Sequence, residues 1–164
     1  MDILNKEAWE QKSLIKGGAL SFSELMHENL ARIELVNPKV NALVNILSKE
    51  ACEKLASAEH PLEGALGGMP MAIKDLANVK GFKTTEGSPL YSERVARKDD
   101  QMVARLRAAG ALFIGKTNTP EFGLGSNTFN PVYGKTKNPY DLTRTCGGSS
   151  GGAAVALATR MLSI

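Results

Sequence analysis

The chain predicts an α/β fold with helices around a mixed β-sheet. Three observations carry this: an amphipathic helical first third, a strand, helix, strand succession between Pro70 and Thr117, and a composition of 43% hydrophobic and 23% charged residues over 164 positions. That composition is ordinary for a packed core, and the length favours one domain. Residues 1–63 form its helical N-terminal region and residues 64–164 the start of its β-containing core.

The first helix is SFSELMHENLARIELVNP. Ser21 and Glu24 have capping-box spacing, and Phe22, Leu25, Met26, Leu30, Ile33 and Val36 repeat at helical intervals. Asn37-Pro38 is expected to end it. A strand-like run, NALVNIL, precedes a second helix, SKEACEKLASAEHP, with Ala51, Leu55 and Ala58 on one face and Pro61 as its stop. From Gly64 onward glycines recur and apolar runs shorten to strand length. PMAIKD and ALFIGKT are strands, and DDQMVARLRAAG between them is a helix. Asp99 or Asp100 caps that helix, Met102, Val103, Leu106 and Ala109 form its buried face, and Gly110 stops it. Strand, helix, strand in this order argues for a partly parallel sheet. The run AAVALATRML near the end is a further buried helix.

Charge and composition remove several function classes. Lysine and arginine total 20 against 17 acidic residues, a formal +3 spread along the chain. Nucleic-acid binding wants a basic stripe and stacking platforms, whereas aromatics are 5% here, so no nucleic acid is expected. Cys52 and Cys146 are far apart, and neither they nor the two histidines, His27 and His60, cluster, so neither metal nor cofactor is expected. Both histidines lie on helices away from any partner group. The N-terminus carries Asp2 and Lys6 without a leader's apolar core, and no uncharged apolar run approaches the roughly 18 residues of a membrane span. A cytoplasmic protein with reduced thiols and no membrane attachment is expected.

GALFIGKT, Gly110 to Thr117, satisfies the phosphate-loop pattern GxxxxGK[ST] letter for letter. The mechanism behind that pattern needs a strand, then a glycine-rich loop around phosphate, then a helix N-terminus. Here the first glycine follows a helix, and Ala111 to Ile114 have the character of a buried strand. Nucleotide binding is refused, and Lys116 becomes a polar residue at a strand end.

Two features stand out as chemical. Lys74 ends an apolar strand, where burial would disfavour its ammonium form and make it a candidate base. The plain alternative is that it pairs with Asp75 or another carboxylate. CGGSSGG, six of whose seven residues are glycine or serine, lets the backbone approach a ligand closely, and the apolar helix after it argues against a flexible linker. Acyl chemistry and phosphate binding both fit this loop.

The runs GGMPMAIKDLANVKGFKTTEGSPL and VARLRAAGALFIGKTNTPEFGLGSNTFNPVYGKTKNPYDLTRTCGGSSGGAAVALAT resemble the amidase signature family, from about Leu66 onward. Strand-end lysine, GKTNTPEFG, NPYD and GGSSGG occur in family order. The resemblance implies an incomplete N-terminal part of the amidase signature fold, and a Ser–Ser–Lys triad without histidine. Its catalytic lysine falls on Lys74 and its bridging serine, after a non-proline cis peptide, on Ser149. Gly147, Gly148 and Ser150 form the supporting loop.

The implied reaction cleaves a small-molecule amide. Neutral Lys74 takes a proton from Ser149, Ser149 takes one from a nucleophilic serine, and that serine attacks the carbonyl to form an acyl-enzyme released by water. The family's nucleophile lies further downstream in a GSxxGGS-type loop that also builds the oxyanion hole, and no serine here, Ser163 included, matches it. The expectation is a truncated, inactive portion whose uncovered edges favour self-association or a complementary fragment. The alternatives are the A subunit of a glutamyl/aspartyl-tRNA amidotransferase, although the wording of GKTNTPEFGLGSNTFNPVYG is closer to the general amidases, and a non-catalytic binding or regulatory fragment on the same scaffold.

Overall fold

The computed structural model describes residues 3–58 and 64–164. A single 3-10 turn (Ile3–Asn5) and a short helix α1 (Ala8–Lys16), neither anticipated from the sequence, open the described chain. The second helix, α2 (Phe22–Val40), starts on the expected capping box: Ser21 Oγ accepts from the Glu24 amide while the Glu24 carboxylate accepts from the Ser21 amide. Leu25, Met26 and Ile33 are buried along it, as their spacing predicts.

Pro38 does not end α2, which runs on to its cap at Asn41. Proline there removes one intrahelical donor, but only a few residues follow it, and the side chain of Asn37 takes over the end of the helix. Its Oδ1 accepts from the amides of Ala42 and Leu43, and its Nδ2 donates to the Leu43 carbonyl. Asn41 then turns the chain with a left-handed φ of 54°.

Strand β1 shrinks to Leu43–Val44, and α3 covers Lys49–Ser57 with Ser48 as its cap. Its buried face is Cys52 and Ala56 rather than the Ala51, Leu55 and Ala58 stripe, and Ala58 already lies outside the helix in extended conformation. The expected stop at Pro61, and His60, lie outside the described residues. His27 is exposed on α2.

The centre is a three-stranded mixed sheet in the order β1, β3, β2. Strand β2 (Pro70–Lys74) runs parallel to β3 (Leu112–Thr117), with α4 (Gln101–Ala108) as the crossover, and β1 pairs antiparallel with β3. Gly110 ends α4 with φ 96°. Met102, expected in the core, is 53% exposed, so α4 is anchored mainly through the fully buried Val103. Asp100 occupies the cap position without capping: its carboxylate accepts from the backbone and side-chain amides of Asn78 instead.

One irregularity in this sheet decides where side chains point. The register between β2 and β3 shifts after Met71, so that Met71 faces Phe113 but Ala72 faces Gly115. A bulge of one residue reverses the alternation of sides. Leu112 and Ile114 face the core formed with α2, α3 and the last helix, α5 (Gly151–Ala158). Past the bulge, Lys116 pairs with Ile73 and shares the opposite face, where Ile73, Val79, Phe82, Val103 and Phe113 cluster. Lys74 pairs with Thr117 and is left on the α5 side.

Two small antiparallel ribbons follow: β4 (Phe129–Asn130) with β5 (Gly134–Lys135), and β6 (Lys137–Asn138) with β7 (Asp141–Thr145). The final helix α5 stops at Ala158, short of the expected TRML extension. Arg160 adopts φ 57°, and the chain turns back to bury Met161 and Leu162.

Candidate active site

Strand β2 delivers Lys74 to the sheet's edge, and the loop between β7 and α5 delivers the serines to the same point. Lys74 Nζ lies 2.8 Å from Ser149 Oγ and 3.0 Å from Ser150 Oγ. The peptide between Gly148 and Ser149 is cis, as the resemblance implies. Lys74 is half-buried, and burial holds its ammonium below the ordinary lysine value. The alternative partner, Asp75, points away: successive strand residues face opposite sides, and Asp75 lies with Lys116 on the other face.

The loop owes its shape to a residue that sequence reasoning passed over. Thr128, within the run SNTFN but given no role, donates from its amide and its hydroxyl to the Gly147 carbonyl, at 2.9 and 2.8 Å. The same Oγ1 accepts from the Gly151 amide at 3.0 Å. Thr128 thus clamps both ends of the Gly148-Ser149-Ser150 turn. Its only signal in the sequence is a small hydroxyl in a polar run beside Asn127.

The loop's glycines are set by packing more than by flexibility. Gly147 has φ 76°, and a Cβ on Gly151 would overlap Thr128 Oγ1 and Cys146 Sγ. A Cβ on Gly152 would overlap the Asn118 amide nitrogen and the Ala42 carbonyl oxygen. The first turn of α5 therefore sits directly against the end of β3. Ser150 occupies the position before α5 without making a side-chain cap.

Behind β3 lies a polar layer. Asn118 Nδ2 donates to Thr136 Oγ1 and its Oδ1 accepts from Asn130 Nδ2, while Thr136 Oγ1 donates to the Asn41 carbonyl. Beside it opens a cleft of about 490 Å³ lined by Pro120, Phe122, Leu124, Ser126, Asn127 and Phe129. Asn127 Oδ1 accepts from Thr145 Oγ1, so the cleft borders the strand that enters the serine loop.

Lys116, expected as a polar residue at a strand end, does lie near the end of β3 but inside the protein. It is fully buried, with Nζ 2.7 Å from the Ala77 carbonyl, 3.2 Å from Thr84 Oγ1 and 3.4 Å from Asp75 Oδ1. Asp75 is equally buried and accepts from the amide and hydroxyl of Thr85. Burial pushes the Asp75 carboxyl up and the Lys116 ammonium down, and each partner's charge opposes that push on the other. A lysine enclosed within a strand and spoken for by protein groups cannot serve a phosphate, which accounts for the refused loop pattern. Among the described residues there is no cluster of side chains that could hold a metal ion, and no helix is long and apolar enough to cross a membrane.

This arrangement can pass a proton between an amine and a hydroxyl, and the chain that carries it is similar to known proteins over nearly its whole length. A model of the Amidase family matches residues 24–164. The chain is 40% identical over 158 residues to the A subunit of the glutamyl-tRNA(Gln) amidotransferase of Syntrophobacter fumaroxidans, covering 94% of this chain and 32% of that protein. It is also 40% identical over 156 residues to the indoleacetamide hydrolase of Bradyrhizobium diazoefficiens, covering 92% and 30%. The structure of 6-aminohexanoate cyclic dimer hydrolase complexed with substrate superposes with a TM-score of 0.87 at 34% identity, over 99% of this chain and 33% of that one. The chain spans about a third of the length of the relatives it matches. With its α/β architecture and nearly its whole length shared with these proteins, the chain belongs to the amidase family.

Proposed function

We propose that these residues carry the lysine and bridging serine of an amide-hydrolysing enzyme. The observation behind the proposal is the 2.8 Å approach of Lys74 Nζ to Ser149 Oγ. With the amine neutral, the Ser149 hydroxyl donates to Nζ and its oxygen is left to accept a proton from an attacking serine. The same path in reverse protonates the departing amine. Gly147, Gly148 and Ser150 shape the turn, and Ser150 supplies a second hydroxyl at Lys74. The attacking serine comes from the additional length that the relatives have, and the exposed side chains of Leu124 and Phe129, together with the edge of β2 left unpaired among the described residues, are where that additional chain, or another copy, packs. The substrate is a small carboxylic amide, the setting cytoplasmic, and the whole described chain one partial amidase unit.

Grafting residues 24–164 in place of the matching segment of the Bradyrhizobium diazoefficiens indoleacetamide hydrolase tests this. Turnover of an amide by the graft should fall about 10²–10⁴-fold on Lys74→Ala or Ser149→Ala. Unchanged turnover in a folded Lys74→Ala graft overturns the assignment. A second reading, the A subunit of a tRNA-dependent amidotransferase, rests on the 40% identity to that protein, the same as the identity with the hydrolase. Release of ammonia from glutamine in preference to aryl amides separates the two.

A further inference from the structure

The one ion pair enclosed on both sides, among the described residues, has no part in the relay proposed above. Asp75 and Lys116 are each 0% exposed, and burying two charges is stabilising only when geometry and further hydrogen bonds compensate their desolvation. Such a pair one residue from the relay lysine invites a role beyond stability.

Its connections lead back to Lys74. The Lys74 carbonyl accepts from the amides of Leu76 and Ala77, closing a turn directly after β2. The Ala77 carbonyl at the end of this turn accepts from Lys116 Nζ, and the Asp75 amide donates to the Thr117 carbonyl next to Lys116. Lys116 therefore holds the turn at Asp75 and at Ala77, and it compensates the carboxylate covalently nearest to Lys74. The groups acting on the pair are Asp100 and Arg94 around Lys116, Tyr133 near Asp75, and the Thr84 and Thr85 hydroxyls. Lys74 on the other face meets the hydroxyls of Ser149 and Ser150.

We propose that Lys116 is a positioning residue for Lys74: by engaging the Asp75 carboxylate and the Ala77 carbonyl, it prevents Asp75 from acting as a counter-ion to Lys74 and holds Lys74 in register with Ser149. This rests on the reading of Lys74 as the relay base. Neutralising Lys116 leaves the Asp75 charge uncompensated across one strand thickness, where an anion stabilises the Lys74 ammonium.

The test follows the Lys74 side chain and the Asp75 carboxyl by NMR through a pH titration of the 164-residue chain with labelled lysine and aspartate. In Lys116→Met, the Lys74 midpoint should rise by about half a unit to one unit. In Asp75→Asn/Lys116→Met, where the carboxylate is gone too, it should return towards the unsubstituted value. A Lys116→Met midpoint equal to the unsubstituted one overturns the proposal, and so does a double variant that keeps the whole rise, since that signals loosening alone. An unsubstituted Lys74 that titrates at the ordinary lysine value counts against the relay reading itself and is a separate outcome. Should the variants not fold, the unsubstituted chain still decides: the Asp75 carboxyl resonance should stay flat across the Lys74 transition, and a joint inflection shows that Asp75 is the counter-ion of Lys74 after all.

Discussion

Thr128 and Gly147 are joined twice, through the amide and the hydroxyl of Thr128 on one carbonyl oxygen. Because the same hydroxyl oxygen accepts from Gly151, one side chain spans the cis turn that presents Ser149. Thr128→Val keeps the shape and removes both hydroxyl bonds, leaving the buried Gly151 amide without its acceptor. A loss of about 1–3 kcal/mol in urea denaturation is expected. A valine variant as stable as the parent argues that the loop is held by something else.

Gly152→Ala is predicted to destabilise more than any alanine on the exposed side of α5. Its new Cβ meets the Asn118 nitrogen and the Ala42 oxygen, which are themselves hydrogen-bonded at 2.9 Å. Backbone on both sides cannot yield like a side-chain tip, so the expected cost is about 1–3 kcal/mol or above. Thermal unfolding of Gly152→Ala beside a Leu157 variant, a partly exposed position on the same helix, measures it.

Lys74 gives a pH dependence with a definite sign. Burial lowers its folded value beneath 10.5, so the unfolded chain binds this proton more tightly. The site's contribution to stability is therefore smallest below the folded value and grows as pH rises towards 10.5. Urea midpoints of the parent and Lys74→Met, compared from neutral pH to about pH 10, should diverge in favour of the parent as pH rises. A constant difference over that range contradicts a depressed lysine.

The start of α2 offers a prediction independent of the site. Ser21→Ala removes the hydroxyl that accepts from the Glu24 amide, and a loss of about 1 kcal/mol is expected. Glycine at the same position should cost only a few tenths by the same scale. Equal losses from both substitutions would show that the side-chain bond is not what holds this end.

Local features were legible in the order of residues. Ser21 and Glu24 are three apart and find each other whatever the rest of the chain does, and Gly110 after a helical run stops it because a left-handed turn suits glycine. Pro38 shows the limit: its usual effect as a helix end was outweighed by an Asn37 side chain bonded to Ala42 and Leu43, contacts that a proline rule does not weigh. Met102 and Ala58 were assigned to faces by periodicity alone, and which face is buried depends on what packs against it.

Composition, the short apolar runs in PMAIK and ALFIGKT, and the glycine-serine loop before an apolar helix were enough for an α/β chain in which Lys74 and the serine loop stand out, and the resemblance to the amidase signature family singled out Ser149 within that loop. Their approach to 2.8 Å, across 75 positions of sequence, needed the parallel pairing of β2 with β3 and the clamp of Thr128 on the loop. The bulge after Met71 decided more still. A single extra residue in β3 turned Lys116 from the α5 side to the opposite face, where it meets Asp75, and left Lys74 to the serines. Side-chain alternation has a period of two, so a shift of one residue reverses every later side chain, and such a shift is set by pairing between strands rather than by either strand's own residues.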